Sequence, residues 1–403
     1  MRLLVQKFGG TSVQSEEYRK HVIKHIENAL LKDYKLVVVV SALGRSPDPY
    51  ATDSLLNLVH FPSNNNSNRE LDLLMSCGEI ISAVVLSNEL QKNHIKATTL
   101  TGPQAGLITT DDFTQAKIKT INPTRILYEL QQHDVVVVAG FQGQTIKGEI
   151  TTIGRGGSDT TAAALGAALQ SEYIDIFTDV NGIMTADPKL VKTAKSLEVV
   201  TYTEICNLAY QGAKVVHPRA VEIAMQARIP MRVRSTCSKE LGTLVTSSRT
   251  EEGTDIKDRI VTGIAHLTSI SQLKVQTKEA AYRTQSDIFK AMAESGISVD
   301  FINISPTGVI YTVPDLVADK AVRVLESLGF HPEKTENCAK ISTVGAGMSG
   351  VPGVASKIVQ ALTDKGIQIL QSADSYTTIW VLVYEKDIEA AVNALHDVFC
   401  LEQ

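Results

Sequence analysis

The chain has 403 residues, with 39 Lys+Arg against 44 Asp+Glu, a net charge of −5 and 43% apolar residues. That near-neutral composition excludes a general nucleic-acid binder, which would be basic, and a disordered acidic chain. The length predicts two or three domains with cores of their own, and the longest apolar runs fall far short of a membrane helix.

Cys77, Cys206, Cys237, Cys338 and Cys400 are odd in number and widely scattered, so neither a disulfide framework nor a zinc site is expected. The N-terminus lacks the long apolar core of a signal peptide, and a cytoplasmic location is expected.

Strands are predicted at 3–8, 36–41, 97–101, 135–139, 174–178 and 231–235. They are almost wholly apolar rather than alternating, which marks strands covered on both faces, as in a parallel sheet. Between them lie helix patterns at 16–31, 71–90, 160–169 and 218–227; in the first, Val22, Ile23, Ile26 and Leu30 make one stripe. This alternation predicts a three-layer αβα sandwich over 1–247. Residues 63–68 read as a polar loop, and 248–257 as a linker.

Beyond the linker the chain repeats itself. An offset of 70 aligns 286–328 with 356–398 without a gap, and pairs Ile288 with Ile358, Gly296 with Gly366, Ile297 with Ile367, Val313 with Val383 and Leu325 with Leu395. Each copy reads helix, Gly-Ile turn, strand, turn, strand, helix, with a further strand expected near 273–275 and 341–344. The order βαββαβ resembles the ACT-type amino-acid-sensing module, and two copies imply a regulatory half at 258–335 and 336–403. Charge divides at the same boundary: 27 basic and 27 acidic residues fall in 1–257, and 12 basic and 17 acidic in 258–403.

Four segments carry the chemistry. Lys7-Phe8-Gly9-Gly10-Thr11-Ser12 follows the first strand and opens a helix; adjacent glycines let backbone N–H groups approach an anion, and Lys7 adds charge. The alternative is a plain glycine turn beside a solvated lysine. Gly154-Arg155-Gly156-Gly157-Ser158-Asp159-Thr160-Thr161 again feeds a helix, and Arg155 suits bidentate recognition of a carboxylate; Asp159 alone could be a helix cap. Phe177-Thr178-Asp179-Val180-Asn181-Gly182-Ile183, running on to Ala186-Asp187-Pro188, sits at the C-terminal end of a buried strand, where α/β sheets bind ligands. Gly212-Ala213-Lys214-Val215-Val216-His217-Pro218-Arg219 offers a second phosphate lysine, while His217 before a proline reads as structural rather than as a base.

As a set these motifs resemble the amino acid kinase family, and within it the aspartate kinases, over nearly the whole chain; the pattern resembles that of the bacillus-type, diaminopimelate-regulated members. The resemblance implies transfer of the ATP γ-phosphoryl group to the β-carboxylate of L-aspartate, with Mg²⁺. It implies Lys7 and Asp159 as catalytic residues. Nucleotide contacts would come from Lys7, Phe8, Gly9, Gly10, Ser41, Thr178, Asp179, Asp187, Lys214 and Val215. Aspartate contacts would come from Thr52, Glu79, Arg155, Gly156, Gly157 and Ser158. No residue is assigned to the metal. The sensor half implies a homodimer through the ACT modules and an amino-acid effector. Meso-diaminopimelate is favoured over lysine or threonine, because 277–282 and 371–376 depart from the usual loops. Asp300, Ser305, Met348, Val351 and Asp374 are the effector candidates. No nucleic-acid or membrane partner is expected.

Two competing readings stand beside this: an enzyme of the same fold acting on glutamate, acetylglutamate, carbamate or UMP, and a non-catalytic amino-acid sensor. A third is set aside. Gly345-Ala346-Gly347-Met348-Ser349-Gly350 matches GxGxxG, but too little chain follows for a dinucleotide-binding domain, and the first repeat lacks these glycines.

Overall fold

The computed structural model describes all residues except Lys214, 248–258, 277–280, Ser349 and Gln403, and the backbone alone at 281 and 282. The expected linker lies outside the described residues. The chain forms two units: Met1–Met184 with Ser196–Ala209 and Lys214–Ile256, and Thr185–Lys195 with Tyr210–Ala213 and Lys257–Gln403.

The first unit carries, in chain order, β1 (Arg2–Phe8), α1 (Gly10–Val13), α2 (Glu16–Leu30), β2 (Tyr34–Val40), α3 (Thr52–Asn57), α4 (Asn68–Lys92), β3 (Ala97–Leu100), β4 (Leu107–Thr109), β5 (Ile118–Ile121), α5 (Thr124–Gln132), β6 (Val135–Ala139), β7 (Gln142–Gln144), β8 (Ile150–Thr152), α6 (Gly157–Leu169), β9 (Tyr173–Thr178), β10 (Val199–Thr201), α7 (Tyr202–Tyr210), α8 (Pro218–Ala227), β11 (Met231–Ser235) and β12 (Thr243–Thr246). Eight strands form the main sheet, in the order β10-β12-β11-β9-β1-β2-β6-β3. All its pairings are parallel except β11 with β12.

The expected six strands are its centre. Val37, Val38, Val39 and Val40 of β2 and Val135 to Ala139 of β6 are wholly buried. Alternate residues face opposite layers: Leu36, Val38 and Val40 join Ile26, Leu86 and Leu90 of α2 and α4 in one core. On the other face α6 packs so closely that a side chain at Gly166 would strike Ile174. Local signals fix the helices. Ser15 caps α2, Ser67 and Glu70 make a reciprocal capping box on α4, and Pro218 opens α8. The sequence did not announce a second sheet, β5-β4-β7-β8, whose strands of three or four residues are too short to show a period.

The second unit contains β13 (Gly263–Gln276), α9 (Ala281–Glu294), β14 (Asp300–Ser305), β15 (Gly308–Pro314), α10 (Asp315–Ser327), β16 (Glu333–Val344), α11 (Val354–Asp364), β17 (Gln371–Asp374), β18 (Thr378–Tyr384) and α12 (Ile388–Val398). Its sheet runs β14-β15-β13-β16-β18-β17.

The two repeats are present but not self-contained. Gly263–Leu267 of β13 pairs with β16 beside β18, while Gln272–Lys274 pairs with Thr335–Glu333 beside β15. Each long strand thus serves both copies, and irregularities after Leu267 and Ile270 let β13 change direction between them. A seam between Thr335 and Glu336 falls inside β16.

Residues 185–195, expected with the first domain, fold in the second unit. Ala186 and Val191 join Ile341, Leu362 and Val392 in its core, Thr185 accepts a backbone hydrogen bond from Ile264 (2.7 Å), and its hydroxyl lies 3.0 Å from His396 Nε2.

Candidate active site

A cavity of about 580 Å³ opens at the C-terminal ends of β1 and β2, walled by α3, α4, the start of α6 and the loops of the small sheet. From β1 comes Lys7, whose Nζ lies 2.7 Å from Asp159 Oδ1 on α6, both side chains being largely buried. Asp159 Oδ2 also accepts the His217 backbone N–H (3.2 Å). The glycine turn after β1 interlocks with the turn after β2: Gly44 N–H donates to Gly10 O (3.0 Å), and a Cβ at Gly10 would lie 2.5 Å from Gly44 O. Only glycine fits there, and Ser41 and Ala42 are held against the same cavity wall.

Glu79 of α4 is the most buried ionisable residue lining the cavity. It is 2% exposed; Oε1 accepts from Ala42 N–H (3.2 Å), and Oε2 has no partner among the described residues. Burial raises its pKa to about 8. A cation brought to this carboxylate would ionise it and complete its bonding. Thr52, at the start of α3, and Arg155, at the turn into α6, line the same space.

Gly156 enters α6 with φ of 72°, a left-handed conformation that favours glycine. A Cβ there would lie 2.2 Å from the His217 ring. His217 therefore acts as a template for the Arg155 turn, and burial lowers its pKa. Desolvation outweighs the pull of Asp159 and favours the neutral ring.

The structure gathers Lys7, Gly10, Ser41, Thr52, Glu79, Arg155, Gly156, Gly157, Ser158 and Asp159 in this one cavity. Phe8 stacks on Phe177 in the core behind it, with centroids 4.5 Å apart, and Gly9 caps α1. Thr178 ends β9 and Asp179 follows it, at the same end of the sheet, but neither lines the cavity; Thr178 donates to Asp179 (3.0 Å), and Asp179 lies 3.7 Å from Arg45. Val215 is also outside the lining. Asp187 belongs to the second unit, where its carboxylate accepts from Lys189 N–H (2.9 Å). Lys214 lies outside the described residues.

Sequence reasoning missed Phe61, Met75, Thr114, Gln115 and Phe141, all in the lining. It also missed Asp72. This fully buried carboxylate on α4 accepts from Thr114 N–H (2.9 and 3.0 Å), Thr152 N–H (2.9 Å) and the Thr152 hydroxyl (2.6 Å). It fastens the small sheet, with Thr114, Gln115 and the approach to Arg155, to the helix that carries Glu79. Burial raises its pKa against the pull of these bonds.

Of the effector candidates, Asp300 and Ser305 bound β14, and Asp300 pairs with the buried Lys340. Ser305 donates to Gly308 O (3.2 Å). Asp374 ends β17 and is exposed. Met348 is buried in the core with Ile358 and Val381, and Val351 is exposed in the following turn. Gln371 of β17 donates to Phe301 O of β14 and accepts from Gln272 of β13 (2.9 Å), so one side chain ties the last strand of the sheet to the backbone of the first.

A glycine turn and a lysine at one strand end, facing an arginine at a helix start on a mainly parallel sheet, have the layout expected of an amino acid kinase, and sequence similarity places the chain in that family. The sequence model of the Amino acid kinase family matches residues 2–235, and that of the ACT domain matches 333–397. Within that family the chain belongs to the aspartokinases, which phosphorylate aspartate with ATP. It is 60% identical to Aspartokinase 1 of Bacillus subtilis (strain 168) over 100% of both chains. The fold matches E. coli aspartokinase III in complex with aspartate and ADP (R-state) with a TM-score of 0.80 at 24% identity, covering 98% of this chain and 99% of that one. It matches the same enzyme in complex with lysine and aspartate (T-state) with a TM-score of 0.75 at 25% identity, covering 98% and 99%. No helix among the described residues is long and apolar enough to cross a membrane.

Proposed function

We propose that the cavity between Lys7 and Glu79 is where the ATP γ-phosphoryl group passes to the β-carboxylate of L-aspartate. The observation that carries this is the convergence, in one space, of a buried carboxylate with one unpaired oxygen (Glu79), an arginine (Arg155) and the Lys7–Asp159 pair. Glu79 receives the substrate ammonium group, and Arg155 with Thr52 and Ser158 holds its α-carboxylate. The β-carboxylate is then an anion at neutral pH and needs no general base. Its difficulty is repulsion from the triphosphate, so the work is positioning and charge neutralisation. Lys7, held by Asp159, stands at the transferring phosphate, and the backbone of Gly9 and Gly10 with Ser41 cradles the chain of phosphates. Thr178, Asp179, Asp187, Lys214 and Val215 are assigned to the nucleotide.

Mg²⁺ neutralises phosphate charge when it is bound with ATP. Among the described residues no group of three or more His, Cys, Asp or Glu is placed to hold a metal ion. An ion arriving on the nucleotide would keep several waters, and Asp159, which lines the cavity, would be the carboxylate offered to it.

The second unit is assigned feedback control by an amino-acid end product, meso-diaminopimelate in preference to lysine or threonine, in a cytoplasmic homodimer joined through the ACT modules. The functional boundaries proposed are a kinase domain over 1–247, a linker over 248–257 and ACT modules over 258–335 and 336–403 that exchange strands.

The test is aspartate-dependent ADP release, with glutamate as the competing acceptor and each amino acid as effector. Turnover with aspartate alone, inhibited by meso-diaminopimelate, is expected. Inhibition by lysine or threonine alone would overturn the effector assignment. Light scattering checks the dimer.

A further inference from the structure

On the sheet face covered by α2 lies a second cavity in the first unit, of about 370 Å³. Strand register builds its floor: Gln6 of β1 is opposite Asp175 of β9, which is opposite Arg232 of β11. Asp175 is wholly buried, and Arg232 binds it with two hydrogen bonds (2.6 and 2.9 Å) while stacking on Tyr173. That pair is complete in itself. Arg234, two residues on, points to the same side, 3.6 Å from the carboxylate that Arg232 already binds; its other contacts are long hydrogen bonds to Glu240 O (3.3 and 3.4 Å) and the face of the Phe177 ring (5.1 Å to the centroid). Its side chain is 14% exposed, and a guanidinium does not shed its charge on burial. Lys32 and Lys239 stand in the wall, and Asp175 is the only carboxylate among the lining residues. The cavity thus holds more positive charge than it neutralises.

A second observation fixes what would fill it. Gln6 is 1% exposed and lines the cavity. Its amide N–H₂ is turned to Asp175 (3.4 Å), which leaves Oε1 buried with no donor among the described residues. An occupant must bring anionic oxygens for Arg234, Lys32 and Lys239, and also an X–H donor for Gln6. Hydrogen phosphate and hydroxylated phosphate monoesters have both. Sulfate has the shape and charge but no donor.

We propose that this cavity binds a phosphate group carried by a small molecule, separately from the kinase cavity. Successive residues of a strand face opposite sides, so the Gln6 of this site and the Lys7 of the kinase cavity are neighbours on β1 that face apart.

The test is isothermal titration of the full chain at fixed ionic strength, with the kinase cavity filled by aspartate and a non-hydrolysable ATP analogue. Inorganic phosphate, sulfate and glycerol 3-phosphate are the probes. One phosphate site is expected, with sulfate about tenfold weaker for want of one charge-assisted bond. Arg234→Met should weaken phosphate about tenfold or more, and the exposed Lys239→Ala a few-fold without risk to folding. Gln6→Met should erase the preference over sulfate. If glycerol 3-phosphate binds more tightly than phosphate, an ester is the occupant; the reverse order assigns the free ion, and either supports the site. Absence of phosphate binding, equal sulfate binding by the unaltered chain, or unchanged affinity in Lys239→Ala would overturn the proposal.

Discussion

Glu79→Gln tests the aspartate site through its pH dependence. With no cation beside it, Glu79 is mostly protonated at neutral pH, since burial raises its pKa to about 8. An ammonium group needs the ionised form, so the apparent KM for aspartate carries a factor of one plus ten to the power (8 − pH). KM should therefore fall about 25-fold between pH 6.5 and 8.5, with a slope near one decade per pH unit at the acid end. In Glu79→Gln the slope should vanish. The lost buried charge pair costs about 3 kcal/mol, so KM at pH 8.5 should rise roughly 150-fold. Stability gives a second reading. A carboxylate whose folded pKa is raised contributes most stability below its unfolded value and loses it as pH climbs through about 8. The melting temperature of the unliganded protein should thus decline toward alkaline pH in the unaltered chain, and less so in the variant. Aspartate saturation curves at saturating ATP, taken every half pH unit, provide the assay. A flat KM in the unaltered chain, or a slope retained in the variant, refutes the reasoning.

Three further outcomes follow from the geometry. Lys7→Ala should lower kcat by about a thousandfold while leaving the circular dichroism spectrum intact; retention of the original kcat in the ADP-release assay would remove Lys7 from the reaction. Asp72→Asn, nearly isosteric, cannot accept all the bonds from Thr114 and Thr152 and should cost about 1–3 kcal/mol in chemical denaturation, with KM for aspartate raised as the small sheet loosens. Gly156→Ala should cripple activity through its clash with the His217 ring, and His217→Ala in the same chain should restore part of it, a coupling that a double-mutant cycle measures.

The main sheet was legible because β2 and β6 are unbroken apolar runs, and a strand buried on both faces has no polar residue to disguise it. The site's glycine turns were legible for a related reason: close backbone approach excludes every other residue at Gly10, and the left-handed turn favours glycine at Gly156. The rest depended on distance along the chain. Asp72 reads as a surface acid on a helix until Thr114 and Thr152, far along the sequence, arrive at its oxygens. Glu79 gives no sign of its burial. Gln115 sits on the connection between strands of three and four residues, and Phe141 leads into a strand of three, all too short for any periodicity. Residues 185–195 look like a continuation of the nucleotide motif, and only the packing of Ala186 and Val191 shows where they fold.

The shared strands β13 and β16 bear on how the sensing half can be handled and how it came about. A tandem duplication ordinarily yields two beads that can be cut apart, expressed singly or recombined. Here a cut between the repeats would leave each half-sheet with a raw edge, lacking the strand its neighbour lends. The two copies should melt in one transition, and an excised single copy should aggregate or pair with a second to recover its missing strand. Deletion of either repeat is thus closed to evolution as to the experimenter, and new effector specificities must be sought by substitution within an inseparable pair.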